Sequence, residues 1–464
     1  MPEFSQSELI QAFSSLVDEG KCLSDADSLE TYGCDWTRFY TPAPSLVLLP
    51  KTTEQVQAIV KKANELDTAL VPSGGRTGLS GGAVAKNGEI VIALDAMNQI
   101  LDFDAASRTV SCQAGVVTEQ LQHYAQEQDL FYPVDFASSG SSQIGGNIAT
   151  NAGGIKVIRY GMTRQWVSGL TVVTGTGEVL ELNNGLMKNA TGYDLRHLFI
   201  GSEGTLGFIT EAKIQLARQP SDLSVLVLGV PDFDAIMNVL KTFQKAMDLT
   251  AFEFFSHVAM QHVLDHGVPA PFDTQSAFYT LIEYENISDH TLDEVMALFE
   301  TCMEEGWVED GVISQNETQA QNLWQLRERI SESITPYTPY KNDISTTIGH
   351  VKSMVEEIDA QVNEHYPEFE IVWFGHIGDG NMHLNILKPE SLSTEDFKAR
   401  CENVSEWVYA TVEKYQGSIS AEHGVGLLKK EYLQYSRSEA EIQLMRQIKQ
   451  VFDPKGIMNP GKVI

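Results

Sequence analysis

VPSGGRTGLSGGA, Val71 to Ala83, enters from a strand-like run and then places five glycines in nine residues, Gly74 to Gly82. So many glycines let the backbone turn several N–H groups toward one anion. Arg76, Thr77 and Ser80 add side-chain donors. Two familiar phosphate loops do not fit. No Lys-Ser/Thr pair follows, as a P-loop requires. The G-x-G-x-x-G spacing is absent, although Asp95 stands about 20 residues further on. The loop also leads into more glycines and a strand, not into a helix. It reads as a pyrophosphate cradle of another kind.

Two more glycine tracts follow. PVDFASSGSSQIGGNIATNAGGIKVIRYG, Pro133 to Gly161, mixes Ser, Asn, Thr and Gly with little charge, which suits close approach of backbone to a flat polar ring system. IGSEGTLGFITEA, Ile200 to Ala212, is the third. PSGGRTGLSGG, SSQIGGNIATNAGG, KNATGYDL and GSEGTLGFITEA, in this order, resemble the FAD-binding domain of the vanillyl-alcohol oxidase-type flavoproteins. The likeness covers about residues 40–218. It implies an α+β protein, with a two-subdomain FAD-binding domain and an α+β substrate (cap) domain built on an antiparallel sheet. By the same resemblance, Ser73, Gly74, Gly75, Arg76, Thr77, Gly78 and Ser80 hold the FAD pyrophosphate. Ser138, Gly145, Asn147, Thr150 and Gly154 line the flavin, and Gly204 and Ile209 complete the pocket. Some members tether FAD through a histidine of the first loop. No histidine occurs from Lys51 to Leu121, so non-covalent FAD is expected.

The chain has 464 residues, enough for two or three domains with cores of their own. Alternating strand and helix patterns argue for α/β or α+β architecture. Residues 1–40 read as a helical N-terminal extension, 41–218 as the FAD-binding domain, 219–425 as a substrate and metal-binding cap domain, and 426–464 as a C-terminal segment packing back on the FAD domain. No apolar run reaches the roughly 18 residues that span a bilayer. The N-terminus lacks the basic and apolar regions of a signal peptide, and a cytoplasmic location is expected. Five cysteines without a CxxC indicate neither a disulfide framework nor a thiolate zinc site. The formal net charge of −31 repels phosphate backbones and excludes nucleic acid as a partner. A protein this acidic that handles an anionic substrate must concentrate its few cations at the site.

FGHIGDGNMHLNI, Phe374 to Ile386, carries a second constellation. Asp379-Gly380 is a two-residue hairpin signal. With these as the loop, His376 faces His383, near enough for two imidazoles to share one zinc. Asn385 lies two residues past His383 and shares its face. SISAEHGVG, Ser418 to Gly426, offers Glu422 and His423. As neighbours they point apart, so one can complete the metal site while the other faces substrate. These stretches resemble the C-terminal domain of FAD-linked D-2-hydroxy-acid dehydrogenases. That resemblance makes His376, His383 and Glu422 the metal ligands and His423 the catalytic base.

LWQLRERISES, Leu323 to Ser333, reads as one helix, on which Arg327 and Ser331 share a face and Arg329 is turned away. Together with the following PYKND it resembles the D-2-hydroxyglutarate branch of the family. There Arg327, Ser331, Lys341 and Asn385 hold the carboxylates. Ser331 stands where that branch usually has threonine, and DISTTIGHV departs from its usual loop. The resemblance implies an FAD- and zinc-dependent dehydrogenase that oxidises D-2-hydroxyglutarate to 2-oxoglutarate. Hydride would pass to flavin N5, and electrons to a separate acceptor: electron-transfer flavoprotein first, quinone second. A homodimer is compatible with the sequence. The same-class alternative is a D-lactate, D-malate or glycolate dehydrogenase. The alternative of another class is a flavin-free zinc hydrolase.

Overall fold

The structure is a computed structural model that describes residues 4–37 and 39–464. Its chain falls into two compact units. The first gathers the chain up to Gly153, then Met162–Gln219 and Glu422–Ile464; the second is Gly154–Gly161 with Pro220–Ala421. Two short stretches thus differ from the expected ranges: Gly154–Gly161 belongs with the second unit, and the residues from Glu422 with the first.

In the first unit a four-stranded sheet runs Cys22–Leu23, Leu46–Leu48, Ile90–Ala93, Leu70–Ser73. The last three strands are parallel, as the connecting helix Thr53–Glu65 requires. That helix starts where Thr52 accepts from the Gln55 N–H, and it buries Val56, Ile59, Val60 and Ala63 at helical spacing. Ile90–Ala93 is buried at every position, the mark of a strand covered on both faces. A second, antiparallel sheet runs Ile100–Asp104, Thr109–Gln113, Gly207–Gln215, Val167–Thr174, Val179–Leu182. The N-terminal extension is not helical throughout. Beside the helices Gln6–Phe13 and Ala26–Tyr32 it adds Cys22–Leu23 antiparallel to the first sheet, because Leu9 and Phe13 are pulled into the core and bring the chain alongside. The C-terminal helix Glu439–Phe452 opens on a Ser438/Glu441 capping box. After it the tail bonds the first sheet: the Leu70 N–H donates to Ile457 O and the Asn459 N–H to Leu70 O, both 2.8 Å.

The second unit is built on a seven-stranded antiparallel sheet. Its order is Asp310–Ile313, Leu223–Val230, Phe278–Glu285, Leu249–Ser256, Glu370–His376, Asn381–Leu387, Tyr340–Ser345. One face packs Val225, Ala251, Phe255, Leu281, Val372 and Phe374 against Trp324, Leu326 and Ile330 of the helical segments above. On the other, Phe254 meets Phe233 of the helix Phe233–Ala246. Covered on both sides, Leu249–Ser256 (LTAFEFFS) is buried at all eight positions, and its one charged residue is Glu253.

Candidate active site

The first unit holds a cavity whose walls come from all three glycine tracts. Gly74, Gly75, Arg76, Thr77, Gly78 and Ser80 line it from the first, Gly145, Asn147 and Thr150 from the second, and Gly204 and Ile209 from the third. Asp35, Gln143, Gly146, Glu203 and His423 join them. Ser73 and Ser138 do not. Ser73 is the last, fully buried residue of its strand. Ser138 is a turn former whose carbonyl accepts from the N–H groups of Ser141 and Ser142 at 2.9 and 2.8 Å. Gly154 lies in the second unit.

Arg76 does a different job from the one expected of a phosphate-binding cation. Its Nη2 and Nη1 donate to the two oxygens of Asp95 at 2.7 and 3.0 Å, and the guanidinium lies 4.7 Å over the Tyr32 ring. A bidentate pair of this kind cancels the charge and holds the loop in shape. Arg76 itself sits at φ +60, so the cavity is offered backbone at this point. Two features fit a polar ring cofactor there. Among the described residues Gln143 Oε1 is buried without a hydrogen-bond partner, a costly state that a ligand's N–H or O–H relieves. Among the described residues, and beyond its own helix backbone and chain neighbours, a Cβ added at Gly146 would meet nothing within 4 Å, so this wall is open toward the cavity.

The Glu422–Gly426 segment is fastened to the same pocket. Ser80 Oγ donates to the carbonyls of His423 and Gly424 at 2.8 and 2.9 Å, which draws that hydroxyl away from the expected phosphate role. Glu203 accepts the Val425 and Gly426 N–H groups at 2.7 and 2.9 Å, one on each oxygen. Burial pushes the Glu203 carboxyl up to about 7, against the pull of those N–H groups and of Lys429. Glu422 lies close beside Gly153, where a Cβ would come within 2.7 Å of its carboxylate.

In the second unit the expected two-residue hairpin loop is corrected. The last strand pair before the turn is His376–Asn381, and the loop is Ile377–Gly380, four residues long. Gly378 causes the longer loop: its N–H donates to Phe252 O of the neighbouring strand instead of to the hairpin. His383 therefore stands opposite Phe374, and His376 is its diagonal neighbour. A shift of two residues keeps every side chain on its face. The two imidazoles still lie together, with centroids 5.3 Å apart and rings near perpendicular. Each offers a ligand nitrogen within 4.8 Å of the other's, which suits a shared divalent ion.

Each histidine also has a carboxylate. His376 Nδ1 is 2.8 Å from Glu253 Oε1, a bond that leaves the Nε2 lone pair as the donor atom. His383 Nδ1 is 3.8 Å from Asp343 Oδ1, an ion-pair rather than a hydrogen-bond distance. Asp343 is anchored by Asn381 Nδ2 at 2.9 Å. Burial raises the Glu253 carboxyl, but His376 and Arg327 outweigh it and hold it below the usual range.

Of the four residues expected to hold carboxylates, three come together with this stripe. Lys341 pairs with Asn385 in register, and Asp343 with His383, so all four share one sheet face. Desolvation lowers the Lys341 ammonium. Arg327, 7% exposed, comes down onto that face: its Nε is 2.8 Å from Glu253 Oε2, and its guanidinium lies 4.7 Å over the Phe374 ring. Ser331 is a correction. The expected single helix ends at Glu328, and a second, Ile330–Ile334, starts after Arg329, so the i,i+4 relation to Arg327 fails and Ser331 is exposed. Arg329 is also outward, paired with Glu332. Glu253, Asp343, Glu203 and Asp35 were not singled out from sequence as site residues. Glu253 alone carried a readable signal, a lone acid in the apolar run AFEFF.

The chain matches two family models: an FAD binding domain over residues 44–183 and the C-terminal domain of FAD linked oxidases over 219–463. A D-2-hydroxyglutarate dehydrogenase of Stutzerimonas stutzeri is 63% identical over 98% of both chains. One from Xanthomonas citri pv. viticola is 54% identical over 94% of this chain and 92% of its own. A p-cresol methylhydroxylase structure with substrate bound has a TM-score of 0.77 at 17% identity, over 98% of this chain and 96% of that one, a likeness of fold. The resemblance read from the glycine tracts is borne out, and so is the α+β fold class. The chain belongs to the FAD-linked oxidase family and is an FAD-dependent oxidoreductase.

Proposed function

We propose that the enzyme oxidises D-2-hydroxyglutarate to 2-oxoglutarate with non-covalent FAD and one zinc ion. The observation that carries the reading is the polar stripe in the second unit. Glu253, His376, His383, Asp343, Asn385 and Lys341 occupy one face of four adjacent strands, with Arg327 above them. Two imidazoles for a metal beside two cations and an amide for carboxylates suit a chelating dianion better than a monocarboxylate. The names of the relatives agree with this substrate.

When bound, FAD supplies the hydride acceptor and zinc the Lewis acidity that lowers the pKa of a coordinated hydroxyl. His376 and His383 would hold the ion through ring nitrogens, with Glu422 as the third ligand that the family resemblance implies. His423 takes the hydroxyl proton at an imidazole nitrogen. Arg327 and Lys341 hold carboxylate oxygens, and Asn385 donates through its amide. The electrons would go to a separate acceptor, electron-transfer flavoprotein or quinone. A cytoplasmic location belongs to the same proposal; among the described residues, no helix is long and apolar enough to cross a membrane. Dye-linked turnover on a panel of D-2-hydroxy acids tests the substrate. D-2-hydroxyglutarate should give the highest kcat/KM, and a preference for D-lactate or glycolate would refute this reading.

A further inference from the structure

Glu253 is 1% exposed in the middle of a strand that is buried throughout. Phe254 pairs with Gly375, so Glu253 stands across from His376. One carboxylate oxygen is hydrogen-bonded to His376 Nδ1 and the other is in ion-pair contact with Arg327 Nε, each at 2.8 Å, the second without hydrogen-bond alignment. A second buried acid provides a contrast. Glu283, on the adjacent strand, opposes Ala251 and faces the same way. Its partners are Lys156, Thr250 Oγ1 and Trp324 Nε1, none of them proposed for the reaction. Both acids satisfy the requirement that a buried carboxylate be paired. Only Glu253 has both oxygens on residues with proposed roles, His376 toward the metal and Arg327 toward the substrate.

We infer that Glu253 is a positioning residue that couples the metal subsite to recognition of the remote carboxylate. The inference rests on the reading given under Proposed function. Toward His376 it fixes the tautomer and the aim of Nε2. Toward Arg327 it takes the Nε edge. With the guanidinium plane set over Phe374, this leaves the terminal edge of the fork for an anion. One carboxylate then governs two properties that separate residues would otherwise set.

The test is Glu253→Gln in the holoenzyme, read by chelator competition for zinc, by flavin absorbance, and by the kcat/KM ratio of D-2-hydroxyglutarate to D-lactate. An amide accepts from one partner and turns its NH2 on the other. Zinc affinity should fall about 10- to 100-fold, and the substrate ratio about 10-fold, with flavin retained. Glu253→Asp keeps the buried charge and serves where the amide variant does not fold; one methylene short, it should show both losses in smaller size. Glu283→Gln is the comparison for plain structural damage and should lower the melting temperature while leaving zinc affinity and substrate ratio unchanged. Wild-type zinc affinity and ratio in the Glu253 variants overturn the inference. So do equal losses of both in Glu283→Gln, which would make the effect one of folding alone. His376→Ala separates the inference from its foundation: zinc retained there sinks the metal reading and the inference together, whereas zinc lost there but kept in the Glu253 variants sinks the inference alone.

Discussion

The two units reach their chemistry by opposite routes. In the first, the cavity is walled by residues of three glycine tracts, each a short run of the sequence. In the second, the polar stripe is made of single side chains from four strands and a helix, brought together by register. A backbone site is robust to side-chain change but intolerant of an added Cβ. A side-chain site fails one function at a time. The difference predicts distinct ways to damage each.

The largest effect should come from the histidine pair proposed to hold the metal. His376→Ala or His383→Ala removes a ligand worth several kcal/mol of transition-state stabilisation, about 1000-fold in kcat. Zinc content should drop while the flavin spectrum stays. Full zinc in both variants would remove this pair from the site.

Arg327→Ala should lower kcat/KM on D-2-hydroxyglutarate by about 10- to 150-fold. On D-lactate, which has no second carboxylate, the loss should be much smaller. Arg329→Ala, on an outward residue paired with Glu332, should be nearly silent. Equal proportional losses on both substrates would assign Arg327 to the shared carboxylate or to the fold.

The first unit should answer instead to a methyl group. Gly204 sits at φ +71, and a Cβ there would come within 2.4 Å of Pro72. The conformation alone costs a non-glycine residue roughly 1–2 kcal/mol. Gly204→Ala should therefore bind flavin about 10-fold more weakly, measured by fluorescence on reconstitution, with zinc unaffected. Unchanged flavin affinity would show that this backbone is free to move. Acid precipitation of the native protein should release yellow flavin, and flavin left in the pellet would contradict non-covalent binding.

The most gradual effect is pH. Glu203 has its carboxyl raised from 4.5 to about 7 by burial. A raised acid stabilises the fold while protonated, so its contribution is complete below pH 4.5 and is lost as pH rises through 7. That amounts to on the order of 3 kcal/mol across the window. The melting temperature of flavin-free protein should decline over this range, and Glu203→Gln should flatten the decline. A slope unchanged by the substitution would show that Glu203 titrates normally.

The same contrast explains what could be read in advance. A glycine loop announces itself because its residues are adjacent and their type is dictated by backbone geometry. Even there, side-chain partners were out of reach: nothing local says that Arg76 would turn to Asp95, or Ser80 to the His423 carbonyl. The hairpin was readable to within its face. Its loop length depended on Phe252, a residue more than a hundred positions away that captures the Gly378 N–H. Parity rescued the histidine pair, since a two-residue slip preserves the face. The helix break at Arg329, which moved Ser331 to the surface, has no glycine or proline to mark it. For Glu253 the run AFEFF signalled only a buried acid; its partners, His376 and Arg327, come from a distant strand and helix.

In the proposed function the second unit's stripe works through a metal on a dicarboxylate. Dye-linked turnover of D-2-hydroxyglutarate, followed through chelation and stepwise return of zinc, tests it most directly. Activity should be lost on chelation with flavin still bound, and restored in proportion to zinc up to one ion per chain. Full turnover in metal-free holoenzyme would contradict it.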